Sequence, residues 1–355
     1  MLSFAKKLYL SVLICFGFGL IAVSQTKYSN EFLNIGVGAR SLAMSKSTLA
    51  SGKDITSTYW NPAGLAAMDK DFALGLMHLE YSQNIGKFDF ISAATSVLDT
   101  NSTLGITMLR MGVDDIPNTL NLYDNEGNIN YDRITKFSVA DYAFLFTYSR
   151  KMPVKGLTTG ANVKVIRRII GQFASAWGFG FDAGIRYQTG EWSFAAVGYD
   201  ITSTFNAWSF NEALFKDVFD STGNEMPQNS LEVTMPRLAV GAARNIKVFT
   251  HFDILIEANA DIFLDGQRAD LLSTGFATFA PHFGIEMNYD NSILFRVGMG
   301  DIQRQYDYNG AYTDSRPTLG VGLRSKYFEI DYALSDFGRN SNTFMAHIFS
   351  LNIAF

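Results

Sequence analysis

The sequence is poor in three residue classes, and each shortage excludes a kind of protein. Its single cysteine, Cys15, lies in an apolar N-terminal run, so we expect neither disulfides nor thiol chemistry elsewhere in the chain. Only 7 residues are proline, which suits long, uninterrupted strands. Acidic residues outnumber basic ones, 34 to 29, which gives a formal net charge of −5 and argues against binding of nucleic acid.

Long apolar runs and catalytic motifs are also missing. After Gln25 no stretch of about 18 or more uncharged apolar residues occurs, so no transmembrane helix is predicted. The four histidines, His78, His251, His282 and His347, are scattered without metal-type spacing. No Gly-x-Ser-x-Gly elbow or glycine-rich phosphate loop is present. We therefore expect no enzyme activity, no catalytic residues, no metal and no cofactor.

The N-terminus predicts export. Lys6 and Lys7 precede an apolar run over residues 8–23, and Ala22-Val23-Ser24 before Gln25 is typical of a signal-peptidase site. We expect a signal peptide at residues 1–24. The alternative, an uncleaved anchor helix, is opposed by the glycines in the run and by its cleavage-like end.

What the sequence does contain is aromatic residues, glycine and a two-residue rhythm. Phe and Tyr number 30 and 16, and Gly numbers 30. At the C-terminus, Phe349, Leu351, Ile353 and Phe355 alternate with small or polar residues, so one face of a strand would be apolar. Similar segments recur with about 9–12 residues each, the length needed to cross a membrane at a tilt.

About fourteen such candidate strands can be drawn between residues 72 and 355. They lie near 72–81, 88–98, 102–112, 138–149, 158–169, 176–187, 192–200, 236–246, 252–263, 279–289, 293–299, 317–325, 327–335 and 343–355. Short connections alternate with longer ones at 113–137, 201–235, 264–278 and 300–316. This asymmetry favours an all-β, antiparallel transmembrane β-barrel in the bacterial outer membrane over a soluble sandwich, and an even strand number would put both termini in the periplasm.

Residues 25–71 do not alternate, and two motifs mark them. The first contains Ala39, Arg40 and Ser41; the second runs Tyr59, Trp60, Asn61, Pro62, Ala63, Gly64. The pair resembles the PorV/PorQ group of Bacteroidetes outer-membrane proteins, which is related to the FadL fatty-acid transporter superfamily. One departure is that this chain reads Met44-Ser45-Lys46-Ser47 where the group usually has Met-Gly-Gly-Ala.

Inside a barrel, a segment of this kind would be a plug or hatch, or alternatively a structural cap without a gating role. Acids and bases are both numerous at the predicted inward positions, which favours ion-paired packing between segment and wall over ion selectivity. These positions are Asp141, Lys164, Arg168, Asp182, Arg186, Arg237, Asp253, Glu257, Asp261, Glu286, Arg296, Arg324, Glu329 and Asp331.

The connection 201–235 is unusually apolar. Ser209 and Glu212 form a capping-box pattern, and the apolar residues that follow predict a short amphipathic helix near 210–219. This surface would pack over the barrel mouth or contact a partner protein. The residues concerned are Phe205, Trp208, Phe210, Leu214, Phe215, Val218 and Phe219.

Two functions remain open. The resemblance to PorV implies a role in type IX secretion, with binding of the translocon or of cargo that carries a C-terminal sorting domain. The alternative is FadL-like uptake of hydrophobic small molecules. Charged lumen positions and the apolar loop favour the first. In either case Phe349, Leu351, Ile353 and Phe355 would face outer-membrane lipid, and a terminal aromatic resembles the assembly signal of outer-membrane barrels.

Overall fold

The computed structural model describes residues 29–81, 85–97, 101–123, 126–214, 229–264, 272–274, 277–308, 310–335 and 346–355. The predicted signal peptide lies outside these ranges. Within them, one sheet contains seventeen strands. They are β1 (Phe72–Tyr81), β2 (Gly86–Ser96), β3 (Ser102–Asn118), β4 (Thr135–Lys151), β5 (Leu157–Ile170), β6 (Ala174–Thr189), β7 (Trp192–Tyr199), β8 (Thr204–Phe210), β9 (Leu231–Thr234), β10 (Arg237–Phe249), β11 (Phe252–Phe263), β12 (Leu272–Ser273), β13 (Thr278–Tyr289), β14 (Ile293–Asp307), β15 (Gly310–Arg324), β16 (Phe328–Ser335) and β17 (Ala346–Ala354).

Fourteen of these described strands form a closed antiparallel barrel. The ring runs β1–β7, β10, β11 and β13–β17, and β17 returns to pair with β1, with Ala354 opposite Ala73. The prediction of a fourteen-stranded barrel whose last strand closes against the first is confirmed. The three remaining strands are additions, because β8 pairs with β6 and β9, and β12 pairs with β13.

The two ends of the barrel differ. Phe72 and Phe355 exchange backbone hydrogen bonds at the end where short turns join β2–β3, β4–β5, β6–β7, β10–β11, β13–β14 and β15–β16. We call this the turn end, and the opposite end, which carries the connection between β3 and β4, the loop end.

All four predicted loops are wrong in part. Strands β3 and β4 extend into 113–137, and β12 lies within 264–278. Most of 300–316 is strand, because β14 continues to Asp307 and β15 begins at Gly310. Many of these residues are polar, so the alternation that reveals a lipid-facing strand is missing there although the backbone pairing continues. Similarly, 201–235 contains β8 and β9.

The predicted helix near 210–219 is also not formed where the structure describes it. Phe210 ends strand β8, and only Glu212–Leu214 form a turn of 3-10 helix. From Thr204 to Phe210 the burial alternates with a period of two, since this stretch pairs with β6. Tertiary pairing therefore overrides the capping-box pattern. Residues 215–219 of the prediction lie outside the described residues.

Strands β7 and β8 act as one strand with an interruption at 200–203. Asp200 and Ser203 have positive φ values of 53° and 60°, and β6 pairs with β7 below the interruption and with β8 above it. Lys164 Nζ lies 2.8 Å from Asp182 and 2.5 Å from Asp200, so a buried ion pair ties the interruption to the wall.

Residues 29–71, which we call the inner segment, lie within the barrel. They contain the short helices α1 (Ala39–Ala43), α2 (Ser57–Trp60) and α3 (Pro62–Leu65), and a turn of 3-10 helix at Glu31–Asn34. Their contacts reach well-separated parts of the wall: Asn162 of β5 donates to Thr58 O, and Thr318 of β15 donates to Ala43 O. In the described part of the chain, no helix is both long and apolar enough to cross a membrane.

Candidate functional site: the lumen and its inner segment

The Asn-Pro-Ala-Gly motif builds a helix start and ties it to the wall. Asn61 Oδ1 accepts from the Ala63 amide at 3.0 Å, and Pro62 occupies the first turn of α3, where a missing N–H costs nothing. The Asn61 amide group also donates to Ile185 O of β6 at 3.3 Å. A side chain on Gly64 would collide with Gly52 O, so glycine is required there for space.

Tyr59 and Trp60 connect this helix to the start of the inner segment. Trp60 Nε1 donates to Val37 O at 2.9 Å, and the Tyr59 hydroxyl donates to Leu33 O. The two rings meet edge to face with centroids 4.8 Å apart. Burial raises the pKa of Tyr59, so the hydroxyl keeps its proton for this hydrogen bond.

Arg40 joins the first motif to the wall. Its Nε donates to Glu286 of β13 at 2.8 Å, and its Nη1 lies 3.3 Å from Asp54. Burial alone would lower the pKa of Arg40, but the carboxylates of Glu286 and Asp54 raise it, so the guanidinium stays charged. The neighbouring Ala39 amide donates to Ser350 of β17, and Ser41 accepts from Thr48.

The ion pairs continue through the wall. Glu286 also binds Arg296 of β14 at 2.6 Å, and Arg296 contacts Asp331 at 2.5 Å and Glu329 at 2.8 Å. Glu329 in turn binds Arg324 near the turn end. The Arg296 side chain has no exposed surface, so the centre of this network lies inside the molecule, and each charge in it has an oppositely charged partner.

Other predicted inward charges are also paired or hydrogen bonded. Arg168 binds Asp141 at 2.9 Å, and Arg237 binds Asp261 at 3.2 Å. Glu257 accepts the amides of Ala50 and Ser51 of the inner segment. The exception is Asp253, which is exposed and lines a cavity at the turn end.

A ring of inward glycines surrounds the inner segment. At each, an added Cβ would come closer than 3.0 Å to an inner-segment atom, so the wall has no side chain where the segment passes. We call these residues the glycine belt: Gly75, Gly105, Gly160, Gly184, Gly284, Gly298, Gly300 and Gly320. The belt is not among the features predicted from the sequence. Its signal was glycine at predicted inward positions of several strands.

Beyond the belt toward the loop end, one side of the lumen is apolar. Phe32, Val37 and Leu42 of the inner segment pack there against buried side chains of β1–β5. We call these wall side chains the apolar wall: Met77, Leu79, Phe88, Phe90, Leu109, Leu145 and Ile166. Leu33 and Ile35 pack on the same cluster and are only partly buried.

Toward the turn end the lumen is polar. A cavity of about 650 Å³ lies between the inner segment and the turn-end parts of β1, β6, β7, β10, β11, β13 and β15–β17, and both acids and bases line it. Lys53 and Asp69 of the inner segment form an exposed ion pair there, 3.1 Å apart. We call this cavity the vestibule. Apolar and polar surfaces thus lie on opposite sides of the belt.

A second missed feature lies at Ser45 and Lys46, where the resembling group usually has glycines. Both residues have positive φ, 50° and 67°, so the backbone keeps a conformation that glycine adopts at lower cost. Lys46 Nζ donates to Asn34 O at 3.0 Å, which links this turn to the start of the inner segment. The Met-Ser-Lys-Ser departure therefore leaves a glycine-like turn in place.

The predicted partner-binding residues do not form one surface. Phe205 points outward from β8 and is 44% exposed, whereas Trp208 is buried beneath the Arg168 guanidinium, 5.0 Å from its ring centroid. Phe210 is partly buried, and Leu214 is 36% exposed. Phe215, Val218 and Phe219 lie outside the described residues.

The C-terminal stripe faces outward. Phe349 and Phe355 are exposed, and Leu351 and Ile353 are partly so. The Phe355 ring lies 5.1 Å from that of Phe72 across the closing pair.

Comparisons with known proteins add to this geometry. No family model and no curated protein matches the sequence. Solved structures do match. The CymD monoaromatic hydrocarbon channel has a TM-score of 0.56 and 13% identity, covering 90% of this chain and 98% of its own. The chain has the FadL-like outer-membrane barrel fold.

Two further structures agree. The Ralstonia pickettii toluene transporter TbuX gives a TM-score of 0.51 at 16% identity, covering 90% and 98% of the two chains. A Pseudomonas aeruginosa FadL homologue gives 0.51 at 12% identity, covering 89% and 97%. At these identities the likeness establishes the fold alone. The expectation of type IX secretion receives no support from them.

Proposed function

We propose that this FadL-like barrel binds a small hydrophobic molecule at the loop-end side of its lumen and passes it across the outer membrane. The observation that carries the proposal is the apolar wall, an inward surface of large aliphatic and aromatic side chains in a barrel whose lumen also holds many buried polar and charged groups. A ligand site needs such a surface with few polar groups. Structural neighbours described as hydrocarbon channels and toluene transporters share the fold and support this choice.

The ligand would take the place of residues 29–37, which we call the N-terminal limb. Phe32, Leu33 and Ile35 of the limb cover the apolar wall. Hydrogen bonds from outside the limb hold four of its carbonyls, at Ser29, Leu33, Asn34 and Val37. The side chains of Ser29 and Asn30 are also hydrogen bonded to the wall, so a ligand must displace these contacts as well. A hydrophobic molecule would replace the limb's apolar contacts, whereas the part of the inner segment inside the glycine belt is fitted to the wall and resists movement.

Ligand binding tests the proposal. Purified protein in detergent is titrated with toluene and with a long-chain fatty acid, and binding is followed by calorimetry. Leu109→Gln puts an amide into the apolar wall, and we expect about tenfold weaker binding, because burying an unpaired amide costs about 1–3 kcal/mol. Leu255→Gln is the matched control, since Leu255 is also buried but lines the vestibule. Lack of binding by the unaltered protein, or equal effects of both variants, would contradict the proposal.

A second candidate function is binding of secreted cargo or translocon in type IX secretion. The motifs at residues 39–41 and 59–64 favour it through their resemblance to PorV, and an inner segment contacted around the wall suits a barrel that need not conduct. Affinity purification from native membranes would compare the unaltered chain with a variant carrying serine at Leu214, Phe215, Val218 and Phe219. Recovery of no secreted or translocon protein by the unaltered chain would count against this function.

A further inference from the structure

The outer surface of the barrel is not equally apolar on all sides. On β13 the outward side chains stay apolar over eleven residues, which corresponds to about 25 Å along the membrane normal for a strand tilted by about 40°. These residues are Phe279, Pro281, Phe283, Ile285, Met287 and Tyr289. That height matches the apolar band of an outer-membrane barrel, about 25 Å.

On β1 the apolar band is much shorter. Outward residues Phe72, Leu74 and Leu76 are followed by His78 and Glu80, whose side chains are about half exposed. From Phe72 to Leu76 the same geometry gives only about 10 Å. Counted from the turn end, the outward side chains of β1 become charged after about 10 Å, whereas those of β13 stay apolar for about 25 Å.

These charges form a row across neighbouring strands. The register places His78 opposite Asp89 of β2, Asp89 opposite Arg110 of β3, and Arg110 opposite Tyr142 of β4. His78 Nδ1 lies 2.7 Å from Asp89, and Arg110 lies 3.7 Å from it. Asp89 and Arg110 remain 36% and 28% exposed on the outer wall. A charged side chain that faces lipid destabilises a barrel, most strongly near the midplane of the membrane, so this sector is poorly suited to lipid.

We propose that the sector formed by β1–β4 is covered by a second copy of this chain, in a dimer whose two-fold axis runs along the membrane normal between β2 and β3. A two-fold axis there sets β2 of one copy against β3 of the other. Asp89 then faces Arg110 of the second copy, and Arg110 faces its Asp89. Below this row, Ile91 faces Met108 and Ala93 faces Ile106, which pairs a small residue with a large one.

The charge pattern is what selects a second copy as the occupant. One acid and one base lie side by side in register on neighbouring strands, so the surface is complementary to itself under a two-fold rotation. The apolar residues beside them are as open as other outward residues of the barrel, with Ile91 and Ile106 50% and 52% exposed. Covering them would bury apolar surface and remove the charges from lipid.

Cysteine cross-linking tests the geometry. The chain has one cysteine, Cys15, in the predicted signal peptide, so introduced thiols can be the only reactive ones. Two differently tagged copies, one with Ile91→Cys and one with Met108→Cys, are co-expressed and oxidised in native outer membranes. We expect a disulfide-linked product of twice the chain mass that carries both tags. The matched control uses Val297→Cys and Leu319→Cys, a facing outward pair on β14 and β15, and should give no such product.

Charge reversal tests the pairing itself. Copies carrying D89R place arginine against Arg110 in a homodimer, and copies carrying R110D place aspartate against Asp89, so each alone should lose at least tenfold in dimer yield. Co-expressed, the two variants restore both contacts between copies, and tag-based purification should recover the mixed dimer. Each variant's folding is checked by its heat-dependent mobility in gels. Absence of cross-linking in folded protein, a linked product containing another protein, or equal linking of the control pair would overturn the proposal.

Discussion

Arg40 shows how much of the lumen's order depends on single side chains. It contacts Asp54 within the inner segment and Glu286 on the wall, and Glu286 is also held by Arg296. Removing one member of such a buried pair leaves an incompletely compensated charge, which costs more than the pair contributes when intact. The contribution of Arg40 to stability is therefore best measured by replacing it.

We expect Arg40→Ala to lower the free energy of unfolding by about 3 kcal/mol, because Glu286 and Asp54 lose a buried partner. Urea unfolding in detergent, followed by tryptophan fluorescence, measures the change. The control is Lys53→Ala, which removes an exposed pair with Asp69 and should change stability by no more than about 1 kcal/mol. Equal losses of stability in the two variants would show that the buried Arg40 network stabilises the protein no more than an exposed ion pair does.

The glycine belt makes a second prediction for single residues. In Gly160→Ala the new Cβ would overlap the backbone of Pro62, so the helix that carries the Asn-Pro motif must shift. We expect a loss of about 1–3 kcal/mol in stability from overpacking. The neighbouring Ala161→Val points to the outer face and should leave stability nearly unchanged. A neutral Gly160→Ala would mean that the inner segment is loosely seated.

At the scale of elements, the closing pair of β1 and β17 decides whether a barrel forms. Phe355 exchanges hydrogen bonds with Phe72, and eight residue pairs follow in register from Ala73 and Ala354. Pairing of the first strand with the last is the least local strand pairing in the barrel, so its loop-closure entropy is the largest among the strand pairs. A residue that promotes this contact should influence assembly more than stability.

We expect Phe355→Ser to reduce the amount of folded barrel in the outer membrane several-fold while the assembled protein unfolds at nearly the same urea concentration. Quantitative immunoblotting of membrane fractions and urea titration measure the two effects. Phe328→Ser is the control, because Phe328 is a similarly exposed outward aromatic near the turn end but is not terminal. A similar assembly defect in both variants would remove the special role of the last residue.

The elements also show where prediction from sequence fails. In strands that face lipid on one side and the lumen on the other, apolar and polar side chains alternate. The sequence predicts the bounds of such strands to within a few residues, as with 72–81 and β1 (Phe72–Tyr81). Strand ends beyond the lipid, such as β14 near Asp307, carry polar residues on both faces and show no period. In β8 the helix-like spacing of Phe210 and Leu214 competed with strand pairing to β6, and pairing prevailed.

At the scale of the whole molecule, the inner segment separates the apolar side of the lumen from the vestibule. Deleting residues 29–65 should open a water-filled path through the lumen, because the gap would be bordered by the glycine belt and by buried polar residues as well as by the apolar wall. We expect single-channel conductance in planar bilayers for the deletion variant and none for the full chain. Removal of 265–271 between β11 and β12 serves as the control. A silent but folded deletion variant would show that the wall itself, not the segment, closes the lumen.

The sequence by itself determined what depends on local pattern and on short motifs. Alternation, strand length and the spacing of turns predict a fourteen-stranded barrel, since a membrane imposes one period and one length on every spanning strand. Arg40 and the Asn61-Pro62 pair stood out in the sequence because they belong to the two motifs that resemble the PorV/PorQ group, and Asn-Pro predicts a turn. The pairing of Arg40 with Glu286, 246 residues away, required the tertiary structure.

The glycine belt, the two sides of the lumen and the outer row from His78 to Tyr142 were likewise decided only by the fold. Each depends on strands distant in sequence reaching the same height around the barrel. That height is set by the register of neighbouring strands, and a one-residue shift would turn every inward side chain outward.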